Sequence, residues 1–491
     1  MRIHTLLLLT CIALATAVAG CARSPHLAEP SGFFVALKTC RARYAEIDAK
    51  IDAAGVRDGV FYRVPGFPYL RSDRLLASFR DEVKTIDEVG AWLRRMREFD
   101  QEAREFEYEN LGLESQQRAI LRGEFLNCGR GLAALEFDDP DNFKLVHDTM
   151  VPPDAYSSAT RALGLYPLTL PLQRARLRAH EDAVRRAFAS PRSERLGPEA
   201  PLRWQVQPVE DVSLIPARVS DAYPDELGFP GLVDSAWRAI AEVNAPELLM
   251  AAGSGQRQLG TPVWVDDGHG GARLDIDTRQ HTVHYQIGFT RFGGARLIQV
   301  NYFLWFRSAD ALPGEAPVDS LIWRVTLDNE LRPIAYDSVR GSGREHFWFA
   351  VRADLPRRPS TDDGLSPFFP QDTPAPAEPS LILARDGGLR GVTAADTTLP
   401  AQRYQLGRFE ELYRLPLPGG GSRNLFGADG TIAGTRTPAP EWYAVSGVPR
   451  PGVLRHFMRL PVSYVGEQHF DDAYVLEQAF VPPSPAVVGQ P

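Results

Sequence analysis

Polar side chains on one face of a predicted β-sheet are the first candidates for chemistry in this sequence. Residues 281–290 alternate between polar and apolar side chains, which is typical of a strand with one buried face. A turn at Gly293-Gly294 pairs this strand with the next and places Gln286 opposite Asn301 on the polar face. These groups need partners if a second layer covers them, because burying unpaired polar groups is costly. The predicted ligand-binding residues are His284, Gln286, Gln299, Asn301 and Arg324.

A candidate general base lies where the predicted sheet resumes after a flexible loop. Glu345 and His346 follow the loop 341–343 at the start of a predicted strand, and a histidine held there can accept a proton from a bound substrate. The predicted catalytic residues are His346, Glu345 and Asp337, with Arg324 assisting. Two alternatives stay open: a loop histidine whose hydrogen bonds are satisfied, and a sheet whose polar face meets only water.

Sequence motifs of several familiar enzyme classes are missing. The chain contains no G-x-S-x-G, H-E-x-x-H, P-loop or complete G-x-G-x-x-G pattern. His281 and His284 cannot share a metal ion, because residues three apart on a strand point to opposite faces. The aspartates of segment 266–277 lack the spacing of a calcium loop. We therefore expect no metal site and no cofactor.

The elements that carry the candidate residues fall into two parts of different character. Residues 32–190 show apolar stripes at helical spacing and predict a domain of antiparallel helices. Residues 191–229 are rich in proline and lack periodicity, which is typical of a linker. A β-rich domain follows over 230–481, with a proline-rich insertion at 353–380 and a disordered tail at 482–491. The predicted fold class is α+β: an N-terminal helical domain followed by a mainly antiparallel β-rich domain.

Local patterns also predict individual elements. The β-rich domain should begin with a helix at 234–250 and end with a helix at 472–480, capped by Asp471 or Asp472. In the helical domain, the densely charged face of 94–109 is predicted to be solvated. The strands of the central meander are predicted at 281–290, 296–307, 320–328, 332–339 and 346–352.

The N-terminal residues 1–20 have the features of a secretory leader: a positive start, an apolar run and small residues before Cys21. The sequence VAGC at 18–21 resembles a bacterial lipobox, in which cleavage leaves the cysteine first and lipid is attached to its sulfur. Residues 21–31 then form a tether. An uncleaved membrane anchor is the alternative, because about 18 apolar residues suffice to cross a bilayer. Ala22 replaces the aspartate that favours inner-membrane retention, so we expect the periplasmic face of the outer membrane.

Charge and cysteine usage agree with that compartment. The formal net charge of −8 disfavours nucleic acid and anionic membrane surfaces as electrostatic partners. If Cys11 leaves with the leader and Cys21 carries lipid, the mature chain keeps Cys40 and Cys128. In an oxidising periplasm this pair predicts a disulfide, with two separate buried thiols as the alternative.

Five stretches carry a resemblance to known proteins: DAYSSATRALGLYPLTLPL (154–172), LIQVNYFLWF (297–306), SLIWRVTLDNELRPIAYDS (320–338), SRNLFGADGTIAGT (422–435) and VGEQHFDDAYVLEQAF (465–480). They resemble an uncharacterised family of proteobacterial envelope lipoproteins, and the resemblance covers most of the mature chain. It implies no known activity, so it bears on the compartment and not on mechanism.

Two functional hypotheses follow from the sequence. The first is an outer-membrane-anchored lipoprotein that acts as a non-catalytic binding or envelope-assembly module, attached to the membrane by its N-terminal lipid. Its β-rich part would bind an unknown periplasmic protein or glycan, and nucleic acid is not expected as a partner. The alternative is a periplasmic hydrolase of a cell-wall or ester substrate, with His346 as the base.

Overall fold

The computed structural model describes residues 34–164, 166–252, 257–308, 311–359, 367–438 and 445–483. The predicted leader 1–20, the lipidation site Cys21, the tether 21–31 and all but the first two residues of the predicted tail 482–491 lie outside these described residues.

The described residues between 34 and 196 are mainly helical. Apolar residues at helical spacing give a buried side to most of its longer helices, and local signals end them: Gly55 has a φ of 68° directly after the first helix, and Asp139-Pro140 starts a new helix after a break. The helices are α1 (Phe34–Ala54), α2 (Arg74–Ala77), α3 (Ile86–Asn110), α4 (Ser115–Glu136), α5 (Pro140–Thr149), α6 (Ser158–Leu163), α7 (Tyr166–Ala189) and α8 (Arg192–Leu196).

Helix α3 begins with a capping box that satisfies two backbone donors at its N-terminus. The Thr85 hydroxyl accepts from the Glu88 amide at 3.2 Å, and the Glu88 carboxylate accepts from the Thr85 amide at 2.9 Å. The helix then runs across a short hairpin that the sequence did not predict, formed by β1 (Tyr62–Val64) and β2 (Phe67–Ser72). The predicted disulfide is confirmed: Cys40 of α1 is bonded to Cys128 of α4.

The second half is dominated by one large sheet. The strands of this sheet are β3 (Leu202–Val206), β4 (Glu247–Met250), β5 (Gln258–Asp266), β6 (Ala272–Asp277), β7 (Thr282–Phe292), β8 (Ala295–Arg307), β9 (Val318–Leu327), β10 (Pro333–Arg340), β11 (Phe347–Ala350), β12 (Pro379–Leu383), β13 (Leu389–Ala394) and β14 (Ala401–Arg408). The described part of this sheet has twelve strands, in the order β11-β10-β9-β8-β7-β14-β3-β4-β12-β13, with β5 and β6 attached beside β8.

The meander from β7 to β11 is antiparallel and confirms the predicted register. Phe289 pairs with Ile298, Ile287 with Val300 and Gln286 with Asn301. The turn consists of Gly293 and Gly294, both with positive φ, which glycine adopts at little cost.

The prediction of a mainly antiparallel sheet is wrong, because the sheet is mixed. Strand β14 lies parallel to both β7 and β3, and β12 lies parallel to β4. These neighbours come from distant parts of the chain, and hydrophobic alternation within one strand carries no information about them. The fold class is α+β, as predicted.

Three predicted segment assignments differ in the structure. The segment 191–229, predicted as a linker, supplies β3 to the sheet and places Leu227 and Phe229 in the helical core. The helix predicted at 234–250 ends at Val243 as α9 (Asp234–Val243), and the apolar residues after it form β4. The last helix, α10, is shorter than predicted, at Val475–Ala479.

Both faces of the central meander are covered. Odd-numbered apolar residues of β7 face a core that includes Ile240 of α9 and Phe188 of α7. The opposite face carries Phe303 and Ile322, which pack against the later segments at Phe409 and Phe457. The polar side chains of that opposite face are therefore inside the molecule.

Candidate functional site

One row of polar side chains crosses the central meander at right angles to the strands. Gln286 of β7 pairs with Asn301 of β8, Asn301 with Arg324 of β9, and Arg324 with Asp337 of β10. Because directly opposed residues share a face, the four side chains lie side by side. Hydrogen bonds join neighbours in this row: the Asn301 amide donates to the Gln286 side-chain oxygen at 3.0 Å.

The polar face is buried, so the alternative of a face in contact with water is wrong. Asn301 and Arg324 are each 2% exposed, and Gln299 is 4% exposed. Helix α3 covers the row together with α2 and the segment around Met458. Between these elements and the sheet lies a cavity of about 390 Å³.

Four of the five predicted ligand-binding residues line this cavity: Gln286, Gln299, Asn301 and Arg324. The fifth, His284, does not line it. It is 1% exposed, its Nδ1 has no hydrogen-bond partner among the described residues, and burial lowers its pKa to about 3. The structure therefore does not bring His284 together with the other four residues. His284 shares the face but lies two residues along the strand, in the row of Phe303, where the covering segments pack closely.

The mouth of the cavity is charged and its walls are largely aromatic, whereas the polar row of the sheet forms its floor. At the mouth, Arg408 and Asp234 form an exposed ion pair at 2.9 Å. Aromatic side chains form much of the wall, and Phe61 stacks on Phe99 with ring centroids 4.3 Å apart. The aromatic lining residues are Phe61, Phe99, Phe229, Trp237, Tyr285, Phe289, Tyr413 and Phe457. A pocket with apolar walls and a few directed polar groups is the usual form of a ligand site.

Six carboxyl groups and four arginines line the cavity. The arginines are engaged: Arg74 contacts Asp471 at 3.3 Å, and Arg95 contacts Asp225 at 2.7 Å. Glu102, by contrast, forms no hydrogen bond or ion pair with any described residue. The cavity thus contains a carboxyl group with no counter-ion of its own.

Burial changes the protonation of the carboxyl groups in this cavity. It raises the pKa of Glu102 to about 7 and, against the opposing charge of Arg74, that of Asp471 to about 8. Burial also raises the pKa of Asp73 to about 6. Carboxyl groups that titrate near neutral pH are common at functional sites, because they can exchange a proton or ionise when a ligand arrives.

The predicted catalytic residues meet at the far end of the polar row. Both oxygens of Asp337 accept from Arg324, at 2.8 and 2.7 Å, and Asp337 Oδ2 also lies 2.8 Å from Nε2 of His346. Although burial raises it, Arg324 and His346 hold the pKa of Asp337 below its usual range. Burial lowers the pKa of His346, so its ring is neutral at neutral pH.

His346 opens onto a different and smaller space than the cavity. It lines a pocket of about 70 Å³ together with Glu345 and His180. Glu345 adopts a left-handed conformation with a φ of 58° and lies 3.9 Å from Arg390. No described hydroxyl or thiol group forms a hydrogen bond with His346. The arrangement can orient a base, but the hydroxyl group of Ser463, which lines the same pocket, donates to the carbonyl of Val465 and not to His346.

Sequence reasoning missed the residues that close the cavity from the helical side. The charged face of 94–109 was predicted to be solvated, yet Asp100, Arg104 and Glu107 are buried, and Glu102 lines the cavity. Asp471 lines the cavity too, instead of capping a helix. The sequence signal that could have indicated them is the high density of acidic and basic residues on one helix. Such a density is also expected where a helix covers a buried network of ion pairs.

Comparison with protein families, with curated proteins and with solved structures finds no match. Among the described residues, no helix is long and apolar enough to cross a membrane, and no group of three or more His, Cys, Asp or Glu side chains has the geometry of a metal site.

Proposed function

We propose that this protein is a lipoprotein on the periplasmic face of the outer membrane, and that it binds a small ligand in the cavity between α3 and the polar face of the sheet. The leader, the lipobox at 18–21 and the tether 21–31 support the anchor and the compartment. The disulfide between Cys40 and Cys128 supports an oxidising compartment.

One observation carries the binding proposal: the cavity floor contains a buried polar atom that the described residues leave without a hydrogen bond. Asn301 is 2% exposed, lines the cavity, and its Oδ1 has no hydrogen-bond partner among the described residues. A buried polar atom without a partner costs free energy that a ligand can recover by donating to it. The cavity volume of about 390 Å³ lies within the range typical of small-ligand sites.

Binding is tested by native mass spectrometry of the mature protein after incubation with small-molecule extracts of the envelope. We expect a discrete bound mass on the wild type and its loss from N301A, with S338A as the control. Ser338 is also buried in the sheet, but it does not line the cavity. No bound mass on the wild type, or equal binding by N301A, contradicts the proposal.

The anchor is tested separately by labelling cells with radioactive palmitate. The wild type should incorporate label and sediment with outer membranes, whereas C21S should do neither. A wild-type protein that stays unlabelled beside a labelled control lipoprotein removes the anchor from the proposal.

A second candidate, hydrolysis, is favoured by one observation, the 2.8 Å contact between Asp337 and His346. A buried carboxylate that orients a neutral imidazole is the arrangement of a general base. Because no described hydroxyl group is hydrogen-bonded to His346, we assign to His346 the proton of the water that attacks an ester carbonyl. Hydrolysis of p-nitrophenyl acetate that falls about a hundredfold in H346Q supports this candidate, and equal rates reject it.

A further inference from the structure

The cavity covers part of the polar face of the sheet and also reaches around the edge of strand β7. Five consecutive residues of β7, from Tyr285 to Phe289, all line it. Side chains of consecutive residues in a strand point to opposite faces. A space that touches every one of them must therefore extend beside the strand, where the backbone itself is reached.

This edge of β7 lacks a neighbouring strand over the length of the cavity. Strand β14 pairs with β7 only as far as Tyr285, which lies opposite Arg408. Beyond the cavity, the Arg291 amide donates to the carbonyl of Ala473 at 2.7 Å. Between these two contacts, no described segment pairs with residues 286–290 on the side away from β8.

The backbone groups of Ile287 and Phe289 point toward this gap. The carbonyl of His281 accepts from Gln405 of β14 at 2.9 Å, and the Arg291 amide points to the same side. Backbone groups alternate in direction along a strand, and the pairing of β7 with β8 is uninterrupted. The odd-numbered residues between 281 and 291 must therefore also face away from β8.

The outward groups are largely unsatisfied. The side-chain amide of Gln286 donates to the carbonyl of Ile287, but no described residue accepts from the amides of Ile287 or Phe289. Backbone amides are obligatory donors, and an open strand edge is a template for another extended chain.

The surrounding charges specify which chain fits. Glu102 lines the cavity without a cation of its own, while the arginines of the lining already contact carboxylates. A positively charged group on the ligand would therefore favour the ionised form of Glu102 and pair with it, whereas a ligand carboxylate would meet only arginines that already contact carboxylates.

We propose that the cavity binds a short extended peptide with a cationic side chain or amine, added as a strand to the open edge of β7. Pairing with both Ile287 and Phe289 engages about three residues of such a chain, because groups on one side of a strand recur every second residue. This inference rests on the proposed function, since it names the ligand class of the same cavity.

The probe is a library of tripeptide amides, screened against the mature protein in detergent by native mass spectrometry. We expect retained peptides to be enriched in Lys or Arg. Methylating the backbone nitrogens of the best peptide one at a time should weaken binding roughly tenfold for at least one position, because a strand-pairing donor is lost. No retained tripeptide at about 1 mM, or no effect of any methylation, overturns the inference.

Variants test the charge. E102Q should bind the best cationic peptide roughly tenfold more weakly and its Gln-substituted analogue about equally well. The control is E98Q, one turn earlier on the exposed side of the same helix, which should bind both peptides as the wild type does. Melting temperatures report whether E102Q folds normally. Equal loss of both peptides in E102Q contradicts a cationic ligand.

Hydrogen exchange locates the contact. The amides of Ile287 and Phe289 should exchange quickly in the free protein and slow when peptide binds, while those of Gln286 and Gly288, which face β8, should not change. An envelope oligosaccharide or polyamine that occupies the cavity in place of peptide would refute this inference and leave the proposed binding function intact. If nothing occupies the cavity, both fail.

Discussion

Asp337 holds two buried groups in place at once. It accepts two hydrogen bonds from Arg324 and one contact from His346, and it is fully buried. Arg324 also donates to the carbonyl of Phe470 and stacks 3.7 Å from that ring's centroid. This cluster connects the floor of the cavity to the segment that closes it, so its charge balance supports the site and the fold together.

Replacing Asp337 with Asn should lower the free energy of unfolding by about 3 kcal/mol, because the Arg324 cation is left buried without its counter-charge. The matched control is D354N, whose carboxylate pairs with Arg352 on the surface, and which should cause no measurable loss. Urea denaturation of both variants checks the prediction. A loss for D337N as small as that of the control would contradict it.

Glu102 makes stability depend on pH. Burial is the main cause that raises the pKa of Glu102 to about 7, and the charges of Glu410 and Asp58 add to it. The charge of Arg408 has the opposite effect on this pKa. Between the ordinary pKa of a glutamate carboxyl group and a pH of about 7, Glu102 is therefore protonated in the folded protein and ionised in the unfolded chain. Raising the pH between these two values favours the unfolded chain, so this contribution to stability falls as the pH rises.

We expect E102Q to remove this part of the pH dependence. The free energy of unfolding of E102Q relative to the wild type should increase by about 2 kcal/mol between about pH 5 and about pH 8. Urea denaturation at both pH values measures the difference, and E98Q serves as the exposed control. A constant difference across this range would show that Glu102 has an ordinary carboxyl pKa.

At the scale of elements, the disulfide fastens α1 to α4. The bond closes a long loop, with a sequence separation of 88 between Cys40 and Cys128. Tyr44 and Ile47, on the turns of α1 that follow Cys40, reach the helical core, so the covalent link and apolar packing act on the same pair of helices.

Replacing both cysteines with serine should cost about 4 kcal/mol, because the cross-link restricts the unfolded chain over a long loop. Thermal unfolding of the double variant, compared with the wild type in the presence and absence of dithiothreitol, measures this loss. Reductant should lower the wild-type melting temperature and leave the double variant unchanged. A reductant effect on the double variant would point to a different cause.

At the scale of the whole molecule, the helical half and the sheet share their cores. Leu227 and Phe229 lie between β3 and α9 in the chain but pack in the helical core, while Phe106 of α3 packs in a core of the sheet. Hydrogen bonds cross the boundary as well: Asn110 donates to the carbonyl of Tyr413 at 2.8 Å. The cavity exists only because these two halves are apposed.

We therefore expect one cooperative unfolding transition and not two. Urea curves followed by far-ultraviolet circular dichroism, which reports mainly the helices, and by tryptophan fluorescence should coincide. R291A, which removes the 2.9 Å hydrogen bond to the carbonyl of Ser78 across the boundary, should shift both curves together. Separate midpoints would instead indicate two independently stable domains.

The sequence alone determined the features that depend on neighbouring residues. Alternation and a Gly-Gly turn were sufficient for the register of β7 against β8, so Gln286 and Asn301 were correctly placed together. A helical stripe placed Cys40 on the inner side of α1, toward the partner it bonds. These signals are local, because strand period, helix period and turn geometry act within about ten residues.

Only the tertiary structure decided what meets the two sides of β7. Its outer neighbour β14 comes from 401–408, and its cover comes from α3, so neither follows from the pattern of β7 itself. Glu102 was predicted to lie on a solvated helix face, because its charge gives no sign of the distant sheet that packs against that helix. Burial is a property of the assembled chain, and the pKa values and open strand edge that define the site arise from it.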